Sequence, residues 1–297
     1  MDSKILLANG TNELEVLEFC VAGNSYGINV AKIREIIPYQ AVTPVPNSHP
    51  SIEGIFMPRD SMITAIDLSN CLQRGESKPG GLFIITNFNK LDIAFHVESV
   101  VGIHRVSWAD IMKPNATFSS EDGVSTGIVN INGKLIIILD FEKIVADINP
   151  ETGLRTEEIE MLGVRERNDV PILMAEDSAL LNKLIKDSLI KSGYGNIISC
   201  ENGLEAWEII SDCVKKGNLD EHVRCVITDI EMPQMDGHHL LKKIRETSET
   251  SKLPVIVFSS LINEEMRRKG EALGASAQLS KPELANLVKE IDSLVLN

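Results

Sequence analysis

Five side chains in the C-terminal half have the types and spacing to do chemistry together: Glu176, Asp177, Asp229, Ser259 and Lys281. Each stands at the end of an apolar run. Residues 170–175 lead into Glu176-Asp177, and residues 223–227 lead into Asp229. Residues 253–258 end in Ser259-Ser260, and residues 275–280 end in Lys281-Pro282. Helical patterns separate the four runs, which is the signature of repeated βα units in a parallel sheet. In such a sheet the carboxyl ends of the strands share one rim, and ligands collect there. A lone acid at a strand end is ordinarily just solvated. Three carboxylates, a hydroxyl and a lysine on one rim are a different matter.

Three packed carboxylates repel and raise one another's pKa unless a cation joins them. A hard, oxygen-seeking ion such as Mg²⁺ suits the set and keeps positions open for phosphate oxygens. A carboxylate can also act as a nucleophile and form an aspartyl-phosphate. The lysine supplies a fixed positive charge for phosphoryl oxygens, and the serine hydroxyl can hydrogen-bond to one of them.

The remaining signals in this half serve to position this rim. Ser178 caps a helix running to about Ser192, residues 196–200 form a strand, and residues 203–216 a helix. Residues 237–246 form a helix after the loop that follows Asp229. Asn263 caps a further helix to about Leu273, and residues 282–296 close the half. The adjacent His238 and His239 diverge at neighbouring helix positions, so solvated side chains are expected of both.

The first half reads differently. Residues 1–13 look like a short helical lead or a frayed tail. From Glu15 the pattern alternates, with Leu17, Phe19 and Val21 on one face and Glu18 and Cys20 on the other. Residues 23–25 read as a turn and residues 26–30 as the returning strand. Residues 31–37 read as a short helical piece with Ile33, Ile36 and Ile37 on one side. Pro38, Pro44, Pro46 and Pro50 keep the next stretch extended. Strands are expected over residues 62–68, 82–86, 91–97 and 100–106. Asn132-Gly133 between two apolar strands is the strongest hairpin signal in the chain. Residues 141–148 then read as a helix. Many short strands with little helix suggest a small barrel or a pair of barrels. His49, His96 and His104 are too widely spaced for a metal site and read as surface or satisfied core histidines. With no catalytic constellation, this half reads as an interaction module.

The chain has 297 residues, which favours two domains, and a net charge of −14 to which both halves contribute. Neither half has the basic footprint of a nucleic-acid binder, and adsorption to an anionic membrane surface is not expected either. Five cysteines without a Cys-x-x-Cys pair read as buried free thiols in a reducing cytosol. The N-terminal apolar run at residues 5–8 is too short for a signal peptide, and no stretch reaches the length of a membrane-spanning helix.

Residues 169–297 resemble the response-regulator receiver domain, the CheY-like fold. The resemblance implies an α/β, flavodoxin-like (βα)5 unit with a parallel sheet in the order 2-1-3-4-5. It implies Asp229 as the phospho-acceptor. Glu176 and Asp177 would hold Mg²⁺ together with Asp229 and the backbone carbonyl of Glu231. Ser259 would be the switch hydroxyl, Lys281 the phosphate-sensing lysine, and Pro282 would follow a cis peptide bond. Three positions depart from the usual pattern: Glu176 stands for aspartate, Ser259 for threonine, and Gln278 for the aromatic switch residue of many relatives.

Residues 14–148 resemble a CheW-type coupling domain. The matching features are Phe19, Tyr26-Gly27-Ile28, Ile33-Arg34-Glu35-Ile36, Ile52-Glu53-Gly54-Ile55 and Arg59. They continue through residues 63–68, residues 95–100, Thr126-Gly127-Ile128 and residues 132–140. That resemblance implies an all-β fold of two small SH3-like barrels bridging chemoreceptors and the chemotaxis histidine kinase. Ile33, Glu35 and Arg59 carry over as partner contacts. Met57-Pro58-Arg59-Asp60 keeps the arginine of the family's Asn-x-Arg-Gly motif and loses its asparagine and glycine. Residues 149–168 read as the linker.

A coupling domain followed by a receiver is the arrangement of CheV-type chemotaxis proteins. The resemblance implies a cytoplasmic adaptor at chemoreceptor arrays, with kinase and receptors as partners and Mg²⁺ as cofactor. Phosphorylation of Asp229 would tune the coupling. The alternative is a phosphate sink that drains the kinase without changing coupling. An enzyme acting on a separate substrate is not expected, since the receiver catalyses only its own phosphotransfer and slow dephosphorylation. A small-molecule phosphatase would carry a second aspartate where this chain has Glu231, and no substrate cap is evident.

Overall fold

A computed structural model of the chain describes residues 12–59, 61–88, 91–112, 124–149, 165–281 and 283–296. The expected N-terminal lead before residue 12, most of the linker, Asp60 of the arginine motif and the peptide bond to Pro282 lie outside the described residues. The chain divides into two compact units, one of Glu13–Thr152 and one of Met1–Asn12 with Gly153–Asn297.

The first unit is all-β, built on two five-stranded sheets. One contains β1 (Glu13–Val21), β2 (Asn24–Asn29), β8 (Ser99–Ser107), β9 (Ser125–Ile131) and β10 (Lys134–Leu139), in the order β8-β1-β2-β10-β9. The other contains β3 (Ile33–Pro38), β4 (Ile52–Phe56), β5 (Ile63–Asp67), β6 (Leu82–Phe88) and β7 (Leu91–Val97), in the order β3-β6-β7-β5-β4. A short helix α1 (Leu68–Cys71) follows β5, and α2 (Phe141–Ile148) follows β10.

The alternation in β1 has consequences on both faces. Leu17, Phe19 and Val21 point into the core that contains residues of both sheets, including Ile66, Ile84 and Phe95. Leu14 and Val16 point the other way, against Trp108, Ile111, Val129 and Ile136. Glu18, on the face opposite Leu17, Phe19 and Val21, is also buried, where it meets His104 Nε2 at 2.8 Å and accepts from Lys134 Nζ at 2.7 Å. Phe141, the first residue of α2, is fully buried between strands of the two sheets. Its ring lies 6.0 Å from that of Phe19 in β1 and 4.3 Å from that of Phe95 in β7. Asn132 and Gly133 form the β9–β10 turn with φ of 53° and 84°, the two left-handed residues that a tight hairpin requires.

Three expectations in this unit need correction. The helix expected over residues 31–37 is one 3-10 turn, Val30–Lys32, followed by β3. Asn29 caps that turn through Oδ1, which accepts from Ala31 N at 3.0 Å, and Ile33 is already extended. The isoleucines fit a pleated surface, and a bulge between Ile33 and Glu35 mimics the helical spacing of the apolar residues. The first hairpin turns at Ala22-Gly23, earlier than expected, and Asn24 already pairs with Val21. Lastly, Cys20 and Cys71 are only half-buried, while Cys200, Cys213 and Cys225 are buried, and all five are free thiols.

The second unit has the expected topology. Strands β11 (Ile172–Ala175), β12 (Ile197–Cys200), β13 (Cys225–Thr228), β14 (Val255–Ser259) and β15 (Ala277–Ser280) form an all-parallel sheet in the order β12-β11-β13-β14-β15. Numbered within the unit, that order is 2-1-3-4-5. Between and after the strands lie α3 (Ala179–Lys191), α4 (Gly203–Lys216), α5 (Leu219–His222), α6 (Gly237–Glu246), α7 (Glu264–Leu273) and α8 (Leu284–Val295). One core packs α3 and α8 on a face of the sheet, and a second packs α4 and α6 on the other. Both faces of the central strands are therefore covered, and their sequences are apolar up to the hydroxyl residues Thr228 and Ser259 that end β13 and β14, as a buried parallel sheet requires. Among the described residues no helix is long and apolar enough to cross a membrane.

Candidate functional site

The rim at the carboxyl ends of β11, β13, β14 and β15 carries the five residues singled out by their spacing. Glu176 follows β11, Asp229 follows β13, Ser259 ends β14, and Lys281 follows β15. Parallel register brings these ends together: Ala175 pairs with Thr228, and Ser259 with Ser280. Carboxylate oxygens of Glu176, Asp177 and Asp229 all lie within 4.8 Å of one another. Glu176, Asp229, Ser259 and Lys281 are buried, and Asp177 is half-buried.

Lys281 binds the acids. Its Nζ lies 2.6 Å from Asp229 Oδ2 and 3.0 Å from Glu176 Oε2. Asp229 Oδ1 accepts from its neighbour's N–H, Ile230 N, at 2.6 Å. The carboxylate is thus oriented by a cation on one oxygen and a backbone donor on the other. One lysine does not neutralise three acids. Burial pushes the Glu176 carboxyl above its ordinary range, Lys281 opposes that shift, and the charges of Asp229 and Asp177 add to it.

This arrangement fits a small divalent cation. Three oxygen donors within 4.8 Å suit an ion about 2.1 Å from each ligand. The surplus negative charge would be balanced by two positive charges, which favours the ionised form of Glu176. Glu231 lies two residues beyond Asp229 on the same loop, and its side chain is not part of the carboxylate group. Ser259 Oγ accepts from Leu261 N at 3.2 Å, so the hydroxyl is engaged within its own loop.

Several residues that build the site were not evident from spacing. Gly237 begins α6 where a Cβ would come within 1.9 Å of the Asp229 carbonyl oxygen, so only glycine lets the helix start there. Asn182 of α3 donates to the carbonyl of Glu176 at 3.2 Å and to that of Cys200 at 3.4 Å, holding two strand ends. Its signal was available in principle, four residues after the cap Ser178 on the first turn of α3. Gln278 is buried, and its Nε2 donates to the Arg267 carbonyl of α7 at 2.8 Å. His238 corrects an expectation, because it is 1% exposed rather than solvated, and its Nε2 has no hydrogen-bond partner. Burial, then the nearby charge of Lys269, pull its pKa down to about 3.

The residues carried over as partner contacts lie in the first unit. Arg59 Nη2 donates to Glu35 Oε2 at 2.9 Å, so the structure brings those two together on the surface. Ile33 is half-buried against the core shared by the two sheets. His96, buried, pairs with Glu53 Oε2 at 2.9 Å and the Gly80 carbonyl at 2.6 Å, as a satisfied core histidine would.

Comparison with known proteins agrees with both halves. Residues 15–149 match the family model described as CheW-like domain, and residues 172–292 match that of the response regulator receiver domain. Chemotaxis protein CheV3 of Helicobacter pylori is 31% identical over 303 residues, covering 96% of this chain and 95% of that protein. Chemotaxis protein CheY1 of the same organism is 30% identical over 125 residues, covering 42% of this chain and 95% of that protein. The crystal structure of the scaffolding protein TtCheW from Thermoanaerobacter tengcongensis aligns with a TM-score of 0.40 at 22% identity, covering 43% of this chain and 84% of that one. With a CheW-like domain, then a receiver domain, and a relative matched along nearly its whole length, the chain belongs to the CheV family of chemotaxis proteins.

Proposed function

We propose that the chain is a phosphorylation-regulated adaptor, in which the first unit couples chemoreceptors to the chemotaxis histidine kinase and the receiver tunes that coupling. Its place is the cytoplasm, at receptor arrays. The observation that carries the reading is the Asp229 carboxylate, held by Lys281 at 2.6 Å inside a buried three-acid cluster, in a chain whose other half is CheW-like.

In this reading Glu176, Asp177, Asp229 and the Glu231 carbonyl would hold Mg²⁺, which when bound neutralises charge on the incoming phosphoryl oxygens. Asp229 is the nucleophile. One of its carboxylate oxygens attacks the phosphorus of the kinase phosphohistidine. An O–P bond forms as the P–N bond breaks, and the imidazole nitrogen leaves with the electron pair and takes up a proton. Lys281 then trades part of its contact with the carboxylates for a phosphoryl oxygen. Ser259 reaches a second phosphoryl oxygen by giving up its bond with Leu261 N. That exchange is the local event that biases a two-state face. Glu35 and Arg59 are surface partner contacts, and Ile33 supports them from the core side.

The test is binding of the full chain to the chemotaxis kinase, with and without beryllofluoride and Mg²⁺. Binding that changes with the phosphoryl mimic, and no longer changes in Asp229→Asn, is the expected result. Equal binding in all states would favour the phosphate sink. One observation supports that second reading: Gln278 replaces the usual aromatic and is tied to α7, so one route of relay is missing. No binding in any state would overturn the adaptor itself.

A further inference from the structure

Asn12 lies against the loop that follows Asp229, and it groups with the receiver unit. Its Nδ2 donates to the carbonyl of Gln234 at 2.6 Å, and its Oδ1 accepts from the N–H of Asp236 at 3.1 Å. One side-chain amide thus serves a backbone acceptor and a backbone donor two residues apart, as a neighbouring strand would.

Those two groups belong to the part of the loop most in need of support. Gln234 is a non-glycine residue with φ of 66°, a conformation that needs its surroundings to hold it. Asp236 is buried and caps α6 through Oδ1, which accepts from His239 N at 2.7 Å. Elsewhere the loop has its own ties: Gly237 N donates to Ile230 O at 3.0 Å, and Gly203 N to Met235 O at 3.1 Å. The Gln234 carbonyl and the Asp236 N–H are met by Asn12. This loop also carries Glu231, and it begins at Ile230, whose N–H orients Asp229.

We propose that Asn12 is a positioning residue of the phosphorylation site. Its amide clasps the loop in the form that presents the Glu231 carbonyl and keeps the Asp229 carboxylate aimed. The inference rests on the reading of Asp229 as phospho-acceptor. Releasing the clasp lets the loop populate other conformations, and cation affinity falls by the fraction that remains competent.

The experiment compares the full-length wild type with Asn12→Ala and Asn12→Asp. In the metal-free proteins, amide hydrogen exchange of residues 230–237 is expected to be about fivefold to tenfold faster in Asn12→Ala, the loss of two modest hydrogen bonds. Asn12→Asp, which keeps the acceptor for Asp236 and loses the donor to Gln234, falls between. With acetyl phosphate as donor, the Mg²⁺ concentration for half-maximal phosphorylation is expected to rise about threefold to tenfold in Asn12→Ala, with the rate at saturating Mg²⁺ unchanged. Faster exchange with an unaltered Mg²⁺ requirement would make the clasp merely structural and overturn the proposal. Unaltered exchange in both variants would overturn it directly. A wild type that accepts no phosphoryl group would overturn the reading of Asp229, and the role of Asn12 with it, whereas the first two outcomes leave that reading intact.

Discussion

Lys281 Nζ sits 2.6 Å from Asp229 Oδ2 and 3.0 Å from Glu176 Oε2, so one buried ammonium binds two carboxylates that reach it from different strands. The sequence places them 52 and 105 residues away. The lysine is the chain's own counterion for a cluster that suits a divalent metal.

Removing that counterion tests its weight. Lys281→Met is expected to destabilise the metal-free protein by about 2–4 kcal/mol, because two buried carboxylates lose their partner and proton uptake by Glu176 offsets only part of the loss. Urea unfolding in EDTA measures the loss. Repeating it with millimolar Mg²⁺ is expected to recover much of it, and no recovery would mean that the acids do not bind the ion.

His238 sets a pH dependence. Its folded pKa, about 3, lies below the ordinary histidine value because the imidazole is buried and Lys269 is near. A depressed pKa stabilises the fold above the unfolded pKa and loses that stability as pH falls. The window runs from about pH 6.5 down toward pH 3, at no more than about 1.4 kcal/mol per pH unit. Stability curves of wild type and His238→Leu should therefore converge near neutrality and separate on the acid side, with the variant the less sensitive. Parallel curves would show that the imidazole is solvated.

Gly270 and Gln278 form a fitted pair. A Cβ on Gly270 of α7 would come within 2.2 Å of Gln278 Oε1. Gly270→Ala is expected to cost about 1–3 kcal/mol through overpacking. Gln278→Ala vacates that space, so the double variant should be more stable than the sum of the single changes implies. Additive costs in thermal unfolding would mean that the two residues do not meet.

The start of α6 makes a similar demand on backbone. Gly237→Ala drives a methyl into the Asp229 carbonyl, where a Cβ has 1.9 Å and no flexible side chain can yield. A loss of about 2–4 kcal/mol is expected, together with slower phosphorylation because Asp229 shifts with its carbonyl. A variant as stable and as readily phosphorylated as wild type would contradict the close approach.

The receiver was legible because its signals are local. Each βα unit carries its own apolar run, cap and break, so Ser178, Asn263 and the run before Asp229 announce their elements without reference to anything distant. In the first unit, strands find partners far along the chain, and local pattern decided less. The isoleucines of β3 have a spacing that suits a helix or a bulged strand, and pairing with β6 chose the strand. β4 was hidden among prolines and is fixed by β5 and by the Thr43–Ile55 bridge. His238 and Asn12 escaped for a related reason. A polar residue at a helix start or in a leading segment looks solvated until the tertiary neighbours that bury or bind it are known.

Phe141 closes the first unit in a way that sets where the chain can be cut. A fragment ending at Leu139 would contain all ten strands of the two sheets, yet it would leave Phe19 and Phe95 facing an empty slot the size of a benzyl group. Such a fragment should behave as two loosely joined halves that aggregate, whereas one extended through Ile148 should fold cooperatively. The helix after the last strand is the keystone of that unit, and the smallest autonomous piece of the first unit must include it.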